Sequence, residues 1–140
     1  MSETDEIFTV VRKHWKILIK WLLHIHDYPE ITVDELYDRV NSDDPPLLID
    51  IRTVDDYNGN GYSEYGHIKD AISIPMLELE TRMEELERYK EKEIVTMCPG
   101  GGLSLAAVDV MREAGFKDVK SLKGGTDAWH KKGYPTTKMG

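Results

Sequence analysis

The chain of 140 residues has a single cysteine, Cys98, at the head of the run Cys98-Pro99-Gly100-Gly101-Gly102-Leu103-Ser104. One thiol cannot close an intramolecular disulfide, so Cys98 is either an inert core residue or a reactive centre, and its neighbours decide between the two. Three consecutive glycines are costly in chain entropy. They suit a backbone that folds tightly and turns its N–H groups inward, forming a concave nest in which anions settle. Apolar patterning places a strand before Cys98 and a helix from Leu103 onward, so the helix N-terminus would extend the nest. The amides of Gly100, Gly101, Gly102, Leu103 and Ser104 would then stabilise a thiolate, the nucleophilic form, and hold a second sulfur bonded to it. A buried structural cysteine beside an ordinary glycine-rich connection is the alternative from this loop alone. A nucleotide-phosphate loop fits poorly, because no Lys-Ser or Lys-Thr pair follows the glycines.

The elements that must position this loop follow from apolar periodicity. Short strands are expected at residues 30–33, 47–51, 71–75, 94–98 and 119–122, and helices at 33–41, 77–89, 103–114 and 126–132. Thr32 and Glu35 have the spacing of a capping box. The run Leu47-Leu-Ile-Asp-Ile51 is continuously apolar but for Asp50, as in strands buried on both faces. Five strands interleaved with helices predict an α/β fold: a parallel sheet with helices on both faces. Ligands of such sheets sit at the carboxyl ends of the strands, where Cys98 falls.

Residues 7–26 stand apart. Apolar side chains, Trp15 and Trp21 among them, gather on one broad helical face, and Arg12, Lys13, Lys16 and Lys20 lie on the other with no acidic residue in the segment. The chain thus divides into an acidic tail with an amphipathic helix, 1–27, and an α/β domain, 28–140. Packing on its own domain, or a homodimer contact through residues 7–26, is the expected fate of this helix; contact with a membrane surface is the alternative. The net charge of −8 argues against a nucleic-acid partner. The acidic start is unlike a secretory signal, so a cytoplasmic location is expected. His24, His26 and Asp27 are poor grounds for a metal site, and nothing in the sequence implies a cofactor.

Residues from about Glu30 to Pro135 resemble the rhodanese family in three separated stretches. Leu48-Ile-Asp-Ile-Arg52 is similar to the family's Asp-Val-Arg strand end. Gly66-His-Ile-Lys-Asp-Ala-Ile-Ser-Ile-Pro75 is similar to its Gly-His-Ile motif, and Gly124-Gly-Thr-Asp-Ala-Trp129 with Gly133-Tyr-Pro135 to its carboxy-terminal signature. Between the last two lies a six-residue loop, Cys98 to Leu103, of the length these sulfurtransferases use. The resemblance implies a persulfide on Cys98 and ping-pong transfer of one sulfur from a small sulfur donor to a thiol, to cyanide or to a protein sulfur carrier. It implies structural roles for Asp50 and Arg52; His67 is also read as structural. A purely partner-binding rhodanese-like module is the other reading, and a cysteine phosphatase is disfavoured because Ser104 stands where an arginine would clamp phosphate. Two departures matter. Pro99 follows the cysteine where many thiosulfate-using members carry a cation, so polysulfide or a protein persulfide is the expected donor. Residues 58–65 form an insertion with two tyrosines.

Overall fold

The computed structural model describes residues 1–139. Its centre is a five-stranded, all-parallel sheet in the order β1-β5-β4-β2-β3, built from β1 (Glu30–Ile31), β2 (Leu47–Asp50), β3 (Ile72–Ser73), β4 (Glu93–Met97) and β5 (Asp118–Leu122). The strands are short, and their alternating side chains serve two cores. Ile94 and Cys98 point into one with Ile49, while Val95 and Met97 point into the other with Leu48. This two-sided burial is why β2 and β4 read as continuous apolar runs.

The first core is roofed by α1 (Glu3–Lys13), α2 (Trp15–Leu22), α5 (Met76–Leu79) and α6 (Leu103–Glu113), and the second by α3 (Val33–Val40) and α7 (Gly125–Lys131). The fully buried Trp129 closes the second core and donates its indole N–H to the Pro135 carbonyl at 2.9 Å. The capping box at Thr32 and Glu35 is present. α4 (Val54–Tyr57), a single turn capped by Thr53, precedes the 58–65 insertion.

Two expectations are corrected. Residues 7–26 do not form one helix: the chain breaks at His14 (φ −119°, ψ 22°), and the acidic residues Glu3, Asp5 and Glu6 form the first turn of α1 instead of a tail. Ser2 caps that turn, and acidic residues at the start with Arg12 and Lys13 at the end complement the helix dipole. The predicted helix at 77–89 is α5 followed by a 3-10 segment, Glu80–Tyr89. Its apolar residues Met83, Leu86 and Tyr89 recur every third position, which makes one stripe at three residues per turn.

Candidate active site

Cys98 is the first residue beyond β4, and its side chain is almost wholly buried. Sγ accepts hydrogen bonds from the amides of Gly101 at 3.1 Å and Ser104 at 3.3 Å. The Ser104 hydroxyl lies 3.3 Å from Sγ and 2.6 Å from the Ser121 hydroxyl on β5. Thr96 donates its hydroxyl to the Ser104 carbonyl at 2.9 Å, so the start of α6 is bound to both strands beneath it. The loop therefore curls around the sulfur with donors directed inward. Among the described residues, the backbone donors to Sγ are these two amides, and those of Gly100, Gly102 and Leu103 make no bond to it.

A second glycine turn fixes the outer side of the loop. Two amides in the first turn of α7, on Thr126 and Asp127, donate to the carbonyls of Cys98 and Pro99 at 2.9 and 3.0 Å. Those carbonyls are thereby tied down on the side away from the sulfur. The approach is very close: a Cβ on Gly125 would sit 2.3 Å from each of the two carbonyl oxygens, and Gly125 has φ +68°. The Gly124-Gly125 pair is thus the seat of the cysteine loop.

Asp50 and Arg52, expected to bind each other, form a fully buried pair with contacts of 2.7 and 2.9 Å. Two further guanidinium N–H groups go to the Ser63 hydroxyl and to the Gly66 carbonyl. Arg52 and Cys98 both border a small cavity of about 90 Å³, but the guanidinium charge is already matched by Asp50. His67 is buried with its ring stacked on Tyr57, and its two ring nitrogens contact the Tyr57 and Met139 carbonyls. It does not border either cavity that reaches Cys98. His26 meets Glu30 at 3.3 Å. The 58–65 insertion is anchored at several points: Ser63 to Asp56 and Arg52, Tyr62 to Thr4, and Tyr65 to Thr126 and Asp127.

The N-terminal helices contribute what the loop motif did not foretell. α2 packs on α6 and lays Trp21 over the glycine loop, so close that a Cβ on Gly102 would meet the indole at 2.7 Å. A cavity of about 460 Å³ opens between α2 and the loop and reaches Cys98. A larger cavity, about 680 Å³, borders Tyr37, Pro46 and Trp129 and shares no residue with the cysteine loop. The signal for this lid was the Trp-bearing apolar face of residues 7–26, but its landing place is over 75 residues away in sequence.

Residues 32–132 match the rhodanese-like domain family. The chain is 32% identical over 110 residues to the thiosulfate sulfurtransferase GlpE of Coxiella burnetii, covering 79% of this chain and 94% of the relative. It is 32% identical over 101 residues to YrkF of Bacillus subtilis, covering 72% of this chain but only half of YrkF. Among solved structures it is similar to a rhodanese-related protein from Thermoplasma volcanium, with a TM-score of 0.67 and 26% identity over 79% of this chain and 99% of that one. The sheet order and strand-end loop described above agree with this likeness, and the chain belongs to the rhodanese-like domain family.

Proposed function

We propose that the protein is a sulfurtransferase that carries sulfane sulfur as a persulfide on Cys98. The observation that carries this reading is the convergence of the Gly101 and Ser104 amides on a lone sulfur at a strand end. Those donors favour negative charge at sulfur, and the amides of Gly100, Gly102 and Leu103 are the donors left to hold an outer sulfur atom. The Cys98 thiolate attacks a sulfane sulfur of the donor; an S–S bond forms, the donor's S–S bond breaks, and the donor fragment leaves with the electron pair. An acceptor thiolate then attacks the outer sulfur and regenerates Cys98, so transfer is ping-pong.

Polysulfide or a persulfide is the donor of choice. Although the Coxiella relative is named for thiosulfate, no Lys or Arg lies between Cys98 and Val110 here, and Arg52 is committed to Asp50. The strongly hydrated sulfonate head of thiosulfate would lose its water without a charged partner in return, whereas a polysulfide spreads its charge along a soft, weakly hydrated sulfur chain. Initial rates of sulfur transfer to a thiol are expected to be higher with polysulfide than with thiosulfate, and Cys98→Ser is expected to abolish both while keeping the fold. Residual transfer by folded Cys98→Ser at the natural rate would overturn the reading.

A further inference from the structure

The cavity of about 460 Å³ that ends on Cys98 has no charged residue in its lining. One wall is the cysteine loop with Leu103; the other is α2, through Trp15, Leu18, Ile19, Trp21 and Leu22. Lys16, the basic neighbour of Trp15, lies over the outer ring at 5.8 Å and takes no part in the lining. The rim continues into solvent as hydrocarbon, since Trp15, Ile19 and Leu22 are exposed. Gly102 leaves room for Trp21, so the wall stands against the loop itself.

From the position and chemistry of this cavity we infer that its occupant is the hydrocarbon part of an apolar organic hydropersulfide, R–S–SH. The inference rests on the persulfide reading and adds the donor's chemical class. A cavity of this size accommodates an alkyl or aryl group. A hydrocarbon R gains by leaving water there, whereas a charged or peptidic R loses hydration with nothing to replace it. With R against Trp21 and Leu18, the S–S bond is turned towards Cys98, which lines the same cavity. The thiolate of Cys98 attacks the outer sulfur, which keeps its hydrogen. The Sγ–S bond forms, the donor's S–S bond breaks while its carbon–sulfur bond stays intact, and R–S⁻ leaves with the electron pair and takes from solvent the proton that Cys98 released. The sum is Cys–SH plus R–S–SH giving Cys–S–SH plus R–SH, and no oxidant is needed.

The test compares two donors with the same reacting group, benzyl hydropersulfide and glutathione hydropersulfide, by the initial rate at which the full chain gains the mass of one sulfur atom. The benzyl compound is expected to load Cys98 about tenfold faster, the scale of one uncompensated charge or polar group kept from water. Trp21→Ala, which removes the wall, and Leu22→Glu, which places a charge on the exposed rim without touching the core, should each bring the ratio close to one. A ratio near one in the natural chain, or an unchanged ratio in either folded variant, overturns the inference. Inorganic polysulfide is run alongside. If it loads Cys98 while the ratio is near one, only the donor class is wrong; if no donor loads Cys98, the persulfide reading falls as well.

Discussion

At the scale of single residues, the site depends on how closely two backbones approach. Gly125 leaves no space for a side chain because the carbonyls of Cys98 and Pro99 fill it. Gly133 has a similar positive φ, +80°, but nothing lies within 4 Å of a Cβ there. The two positions separate backbone strain from collision. Gly133→Ala is expected to cost only the left-handed penalty of about 1–2 kcal/mol. Gly125→Ala adds overpacking and should cost about 2–5 kcal/mol in all, with the Cys98 loop displaced. Denaturant melts of the two variants check this, and equal losses would mean that the glycine turn does not seat the loop. Within the loop itself the three glycines have different reasons. Only Gly101 has a positive φ, +100°; Gly102 is small because Trp21 packs on it, and a Cβ on Gly100 would make only ordinary contacts at 3.8 Å.

At the scale of elements, the α1–α2 pair is held by a sensitive contact. Glu6 of α1 has its carboxyl raised above the ordinary 4.5, by burial first and then by repulsion from Glu78, Glu3 and Asp55. Glu3 is raised too, by burial and by Asp56, against a lowering hydrogen bond from Thr53. For carboxyls raised in the docked state the protonated form binds better, so docking weakens as pH rises through 4.5 towards the raised values and strengthens on the way down. Protection of residues 1–26 from protease is therefore expected to be greater at about pH 5 than at neutral pH. Glu6→Gln should raise protection at neutral pH and flatten the dependence; protection that falls on acidification would contradict the origin given for these shifts. Much of the framework was legible beforehand. The apolar runs at 47–51 and 94–98 and the Thr32-Glu35 spacing report local demands, and the strands and capping box stand where those demands put them. The break at His14, with neither Pro nor Gly, and the landing of Trp21 on Gly102 depend on contacts distant in sequence, which no local pattern encodes. The Gly124-Gly125 turn resembles a family signature in the sequence, but its physical reason, the carbonyls of Cys98 and Pro99, exists only in the folded chain.

At the scale of the whole molecule, the N-terminal pair joins the sheet domain to its surface. Val10 is buried in the first core and Ile17 packs against it, whereas Phe8, Trp15, Leu22, Leu23 and Ile25 face solvent. The wide apolar face is thus only partly covered by its own domain. A protein beginning at Asp27 is expected to melt at lower temperature, because the core under α1 and α2 becomes solvent-exposed. An unchanged melting temperature would mean that the pair does not pack as described. No helix among the described residues is long and apolar enough to cross a membrane. The central claim, that Cys98 carries the transferable sulfur, is tested most directly by intact mass. After exposure to polysulfide and removal of excess donor, the natural chain is expected to gain the mass of one sulfur atom, located on the peptide containing Cys98 and lost on addition of a thiol acceptor. Cys98→Ser should gain none. A folded natural chain that gains no sulfur, or a serine variant that gains as much, would contradict the account.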